Sequence, residues 1–572
     1  MTTPERDAHA VNQADSKSAA MLASTAVAPL GDVAHRRRGC HRTPRRRVTP
    51  RAASRGDLED ALSRARERVR ENFESAHALW GDGEHLGMPA KWYLRVDGEA
   101  FVEETMNAEL CYVSGRAKGR RGECWELDFS GHAQSLDLDD AEAAALMAWV
   151  RSGYWVSEEC LGDYLDVEMM ESENVDECVL GLKLRTGKVT SRLTLDADTF
   201  LPKEYAVALC GDEDVWKYDE WTVDASGVVY PAVSKLYGTN GGVQVYRVKG
   251  LSVGRSKEGR SIFEKPQTSS PMIRFDPQVE SKVETSYASS AHVLVEPVID
   301  GEKVGPFILD TGASGLVITP RAAKALGLRG FGEVHVSGVS GRIPAVFRRG
   351  KELRLGPLIL DKPVFMEMSL DGIVSGSKKP VAGIIGFDAF KSAILAVSEG
   401  GKSVDIYCDS TSVDENWAWQ DLRLVSNVPH IAATFSGVDD AQKSQPNIFM
   451  IDSGAGGADV IFHSKAVEAL GLANMLGPME KRISSRVRGV SGANGEDAGA
   501  TMTYRTTMDW LELADKGANG ESVRFEEIDT LLAYGPGFSL SEHSCGMICA
   551  RLLGKKQIVY DFPRRRVAFN DS

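Results

Sequence analysis

The sequence predicts a mainly β protein, with a two-lobed body in its C-terminal half preceded by a β-rich α+β region. Three observations predict it. An apolar strand that ends on an acid, a hydroxyl and a glycine occurs twice, as "FILDTGASGLVITP" (307–320) and "IFMIDSGAGGADVIF" (448–462). The segments downstream of each copy recur in the same order. Upstream, period-two alternation dominates, and only two stretches carry helical spacing.

The 572 residues are 42% hydrophobic and 26% charged, the balance of folded domains. No apolar run reaches the roughly 20 residues that span a bilayer, so no transmembrane segment is expected. Net charge is −14, unevenly spread: residues 1–55 carry eleven basic and four acidic side chains, which leaves −21 on the remainder. A body that acidic repels phosphate backbones, so nucleic acid is not an expected partner. Of nine cysteines, none forms a CxxC pair. Cys545 and Cys549 have no second pair of ligands beside them. Neither a metal nor a cofactor is expected, and the thiols read as core residues.

Residues 1–55 read as a leader outside the fold. Met21 to Arg55 holds nine arginines and one acid, Asp32. That composition resembles an organellar transit peptide, with the chloroplast as the expected address and the mitochondrion as the alternative. A disordered basic tail without an address is the plainer reading.

Residues 56–275 are expected to form a β-rich domain. Leu58, Leu62, Ala65, Val69, Phe73 and Ala76 recur at helical spacing, predicting a helix over 57–80 capped by Asp57. A second helix is predicted over 139–152, capped by Asp139 or Asp140 and stopped by Gly153. Leu180, Leu182 and Leu184 alternate before Thr186–Gly187, and Val189, Ser191, Leu193 and Leu195 alternate after it, a hairpin pattern. Seven of the ten tryptophans fall in this region and are read as sheet core, with an aromatic groove as the alternative. "GLSVG" (250–254) fits a nucleophile elbow by letter, but no helix start follows it, and it is set aside.

A single D-[ST]-G arises by chance roughly once in four chains of this length. Here the flanks repeat as well. "RAAKALGL" (321–328) answers to "KAVEALGL" (465–472), and "GVSG" recurs at 338–341 and 489–492. "GIIGFDAF" (383–390) answers to "GMICARLL" (546–553), and "KSVDIY" (402–407) to "RRRVAF" (564–569). Two copies suggest a closed pseudo-dimer, with lobes at 283–411 and 420–572. The chemistry explains why each strand delivers an acid. Neither carboxylate is tolerable buried alone, but a close pair can share one proton.

This organisation resembles the aspartic proteases, and more closely their retropepsin-like branch in a duplicated single-chain form. The resemblance implies a bilobal pepsin/retropepsin-like fold and an aspartic endopeptidase that hydrolyses protein or peptide substrates. Asp310 and Asp452 match the catalytic pair. Thr311 and Ser453 match the hydroxyls that cross-bond the two loops, while Gly312 and Gly454 admit close backbone approach. Both acids lie in one chain, so a catalytic monomer is expected. The preceding region is similar in pattern to a lipoprotein-carrier half-barrel, which implies apolar-ligand or peptide capture. The alternatives are a catalytically silent pseudo-protease and a ligand-binding protein.

The sequence departs from the family pattern at four places. Cys549 stands where the first copy has Gly386. "DSGAGGADV" is two residues longer than its counterpart, and no tyrosine lies between Asp310 and Tyr407. The flap is therefore read as the "GVSGRIPA" hairpin. Ala313 and Ala455 follow the two glycines, where pepsin-like enzymes place at least one hydroxyl on the carboxylate. Without that hydrogen bond the shared proton is held more tightly, which predicts a working window nearer neutral pH.

Overall fold

The β-rich half is built on one antiparallel sheet. Of its thirteen strands between His77 and Val253, the first six pair in sequence and so do the last seven; the first, His77–His85, pairs with the last, Val243–Val253, which leaves Ala133–Ser135 and Leu165–Met170 at the two edges. The computed structural model describes residues 55–570, apart from 120–121, 210–211, 239–241, 256–258, 268–269, 271, 339–340, 372, 375–376, 378, 409–412, 414–416, 438–444, 478–482, 488–500, 517–519, 521 and 536–540. The leader and the second "GVSG" lie outside the described residues. Among those described, no helix is long and apolar enough to cross a membrane. No group of His, Cys, Asp and Glu there could hold a metal, and the seven described cysteines are free thiols.

A helix, Leu138–Ser152, connects the two halves of the sheet and packs on it. Ala145, Leu146, Trp149 and Val150 meet Leu94, Leu180, Leu193, Tyr205 and Trp216 in one apolar cluster. Trp92, Trp125, Trp149, Trp155 and Trp216 are all buried, as the core reading requires. Gly153 ends the helix in the left-handed conformation (φ 78°), open to glycine at little steric cost. The cap position is Asp137, not Asp139 or Asp140: the two expected caps turn away from the helix end, into the contacts described below. The 178–195 hairpin forms as Glu177–Leu184 and Thr190–Asp196. Ser252 of "GLSVG" sits inside a strand, paired to Ala78.

The helix predicted over 57–80 is shorter. It runs Arg55–Arg68, breaks at Val69 (φ −112°, ψ 21°), resumes over Arg70–Glu74 and gives way to strand at His77. The "HALW" stretch fits both periods. Sheet pairing of His77 and Leu79 with Val253 and Leu251 decides it.

The two lobes share a floor. Strands Lys282–Tyr287, Ser403–Tyr407 and Ile394–Val397 of the first lobe continue into Gln557–Asp561 and Arg566–Asn570 of the second, joined by Ile394 opposite Asp561. The repeated helices are Pro320–Leu326 and Ser464–Ala469. In the first, Thr319 caps the Ala322 N–H, Pro320 takes the first turn and Gly327 closes it at φ 63°. The predicted flap is a hairpin, Arg329–Gly338 with Gly341–Arg349.

The first sheet touches both lobes through acids. Asp128 meets Lys391 at 2.7 Å, and Lys391, 3% exposed, also meets Asp388 at 2.6 Å. At the start of the Leu138–Ser152 helix, Asp137 accepts from Leu424 N and from Arg565. Asp139 accepts from Glu542 N, Asp140 from Ser426 N, and Glu142 bonds His543. Burial pushes Asp140 up to about 7, so it is largely protonated in mildly acidic solution. The same sheet braces the Arg329–Arg349 hairpin. Leu86 O accepts from Glu333 N, and Leu86 and Leu110 pack with Phe331 and Phe347.

Asp128→Asn keeps the shape of the Ser130–His132 turn but leaves Lys391 with one carboxylate. Urea unfolding should show a loss of about 3 kcal/mol, the cost of half-stripping a buried cation.

Candidate active site

Each acid is delivered by the same local device. In the first lobe, Phe307–Leu309 runs parallel to Gly383–Ile385, and Leu316–Ile318 returns antiparallel on the other side. In the second, Asn447–Asp452 runs parallel to Ser544–Cys549, and Val460–Phe462 returns. The apolar side chains are fully buried, so the strands are fixed and the chain must turn at the acid. Two matching hydrogen bonds tie each turn to the following segment: Phe387 N to Ala313 O at 3.0 Å, and Ala550 N to Ala455 O at 2.9 Å.

The loops interlock across the lobe boundary. Thr311 N donates to Ser453 Oγ at 2.9 Å, and Ser453 N donates to Thr311 Oγ1 at 3.0 Å. Each hydroxyl then donates onward to a carbonyl of the opposite strand: Thr311 to Ile451 O at 2.8 Å, Ser453 to Leu309 O at 2.9 Å. All four bonds obey one twofold relation. Gly312 N donates to Asp310 Oδ1 at 2.7 Å and Gly454 N to Asp452 Oδ1 at 2.8 Å. A methyl group on Gly312 would lie 2.5 Å from the Asp452 carboxyl carbon, and one on Gly454 would collide with Asp310. The structure thus brings all six expected residues together.

The two carboxyls face each other across the lobe boundary, each seated against the other loop's glycine. Burial and the Asp452 charge raise Asp310 well above the usual carboxylate range. Burial raises Asp452 as well, to about 6, moderated by the N–H groups of Gly454 and Ala455. Both shifts act to keep a proton on the pair.

Cys549 fits because the second loop is longer. Around Gly386 the first loop closes so tightly that a Cβ would collide with the carbonyls of Ala313 and Gly315. The second loop has eight positions from Asp452 to its returning strand at Val460, against six from Asp310 to Leu316. Cys549 sits there fully buried, with its N–H on Asp459 O. The insertion and the cysteine compensate each other.

Two features have no counterpart in the motif reading. Asp459, inside the insertion and 2% exposed, binds Arg551 at 2.8 Å and Lys555 at 3.2 Å and accepts from Asp529 N. Its charge pattern gave a signal: an acid in a loop, with Arg551 and Lys555 one turn apart. His292 reaches from the first lobe to Gly454 O at 2.8 Å. Nothing in its sequence neighbourhood marks it.

Comparison with known proteins meets this geometry. Residues 295–389 match the family model described as aspartyl protease, a span that contains Asp310 and the Gly383–Ile385 segment. Over that span the chain is similar to the aspartyl proteases. No curated protein matches it. Among solved structures it is similar to the basic 7S globulin of soybean, at 12% identity and a TM-score of 0.30, over 52% of this chain and 97% of that one. It is similar to the aspartic proteinase of Irpex lacteus at 12% identity and a TM-score of 0.33, over 51% and 97%.

Thr311→Val keeps the volume but leaves Ser453 N and Ile451 O without partners. Stability should fall by about 2–6 kcal/mol, at about 1–3 per orphaned buried group. In a double-mutant cycle with Ser453→Ala the losses should sum to less than additive, because either change parts the same two loops.

Proposed function

We propose that the chain is an aspartic endopeptidase that hydrolyses protein or peptide substrates with Asp310 and Asp452 as its catalytic pair. The observation that carries this reading is the facing pair of carboxyls, one from each lobe, each seated on the other loop's glycine and held by reciprocal Thr311–Ser453 hydrogen bonds.

A pair with one proton can act as base and acid together. The ionised carboxylate takes a proton from water as its oxygen attacks the scissile carbonyl carbon. The protonated carboxyl gives its proton to the carbonyl oxygen, which yields a gem-diol. In collapse, a carboxylate takes a diol proton back, the C–N bond breaks and the nitrogen is protonated as it leaves. The neutral Gly312 and Gly454 N–H donors hold the carboxylates' inner oxygens through both steps. In this reading the Arg329–Arg349 hairpin is the flap, residues 283–411 and 420–572 are the lobes and 56–275 are an accessory domain. One chain completes the site, so the active species is a monomer. A near-neutral window suits a plastid, the compartment proposed for it.

Asp310→Asn and Asp452→Asn should each reduce cleavage of a peptide library to background while leaving thermal unfolding in place. The double variant should be no worse than either single, because the acids act as one unit. Near-wild-type turnover in either variant would assign the fold to peptide binding.

The pH profile follows from the raised pair. kcat/KM should rise as pH increases through about 6, where the pair's first proton leaves, and fall at higher pH when the shared proton is lost. Ala313→Ser or Ala455→Ser supplies a hydroxyl to the charged form and should move the basic limb to lower pH.

A further inference from the structure

We propose that His292 is a positioning residue for the reactive pair, holding the second lobe's acid-bearing loop from the first lobe. The proposal rests on the endopeptidase reading for its kinetic readout, but not for its structural one.

His292 is 1% exposed and bonded at both ring nitrogens. Nε2 lies 2.8 Å from Gly454 O, and Nδ1 lies 2.8 Å from Ser290 Oγ. A carbonyl oxygen only accepts, so Nε2 carries the proton, and in the neutral ring Nδ1 accepts from the Ser290 hydroxyl. Burial lowers the ring's affinity for a second proton, in keeping with that tautomer. Gly454 is thereby held on both sides. Its N–H points to Asp452 Oδ1 and its carbonyl to His292.

The loop then runs flush against the histidine's own segment. A methyl group on Gly456 would meet Ser290 O at 2.9 Å and His292 Cε1 at 3.2 Å. The close approach uses a glycine, and the ring and the loop fit as one surface.

The need for this tie lies in the asymmetry of the two copies. The second loop is two positions longer and contains Gly454, Gly456 and Gly457, so more backbone freedom is lost on fixing it. Its far end is clamped by Asp459 to Arg551 and Lys555. Its near end, beside the acid, has the Thr311–Ser453 interlock and His292. The strand registers show that the tie is not part of the repeat. Val295 faces Phe307, three residues before Asp310, and Ile431 faces Phe449, three residues before Asp452. The position equivalent to His292 is therefore Val428, whose side chain offers no hydrogen bond. The shorter first loop does without one.

The test uses the full chain with His292→Gln, which keeps an N–H donor of similar reach, and His292→Leu, which fills the space without one. The first readout is kcat and KM on a cleaved peptide. The second is amide exchange of residues 453–457. His292→Leu should lower kcat by about tenfold, the worth of one hydrogen bond, with KM little changed and loop exchange faster. His292→Gln should recover most of kcat and the slow exchange. Wild-type kcat and exchange in His292→Leu would overturn the proposal. So would equal impairment of both variants with exchange unchanged, because that marks packing alone. If the His292→Leu chain does not fold, Gly456→Ala pushes the loop off the ring and should produce the same pair of effects; its absence there would also overturn the proposal. If wild-type chain cleaves nothing, the endopeptidase reading fails, and the exchange readout alone decides the role of His292.

Discussion

A carboxylate cannot be carried into an apolar interface alone, and this protein carries two. Everything around the lobe boundary follows from making them meet. Two strands, one from each lobe, end in the two acids, and two hydroxyls exchange hydrogen bonds across the gap. Two glycines remove the side chains that would keep the carboxyls apart. The shared floor, joined at Ile394 and Asp561, sets the lobes at the spacing that lets the loops touch. None of these parts works singly. The hydroxyls need the opposite strand's carbonyls, and the raised affinity for a shared proton needs the low-dielectric surroundings that the strands create.

The twofold relation is close at the acids and fades away from them. Gly386 and Cys549 occupy matching positions under different constraints, because one loop is six positions long and the other eight. The extra length admits a sulfur, costs order in the backbone and is answered by a buried acid at one end of the loop. A duplicated fold therefore keeps its chemistry in register while its supports diverge. The constraint sits on the two paired carboxyls, and the supports need only deliver them.

What was legible in the sequence was what repeats or alternates. The acids, hydroxyls and glycines stood out because they occur twice with matching flanks, and the Glu177–Asp196 hairpin because its apolar residues fall on every second position. The edges of elements were less legible. "HALW" suits a helix or a strand until Val253 and Leu251 come beside it. Asp139 and Asp140 have the composition of a cap, but their partners, Glu542 and Ser426, lie about 400 and 286 residues away, and no local rule can see them. His292 was invisible for the same reason. It is defined by one contact to a carbonyl, an atom every residue has.

The acids at the start of the Leu138–Ser152 helix have a consequence for assembly. They belong to the part of the chain made first, and their partners come last: Asp137 waits for Arg565, 428 residues on. Between emergence and docking, the sheet presents Asp137, Asp139, Asp140 and Glu142 to water, which solvates them without cost. The same water must be expelled from them when the second lobe arrives. Docking is thus an exchange of hydration for backbone N–H groups and two basic side chains, and it cannot finish before residue 565 has left the ribosome. Contacts of such separation are slow to form. Asp310 and Asp452 are themselves united only when the second lobe closes, so the paired site does not exist while the chain is being made.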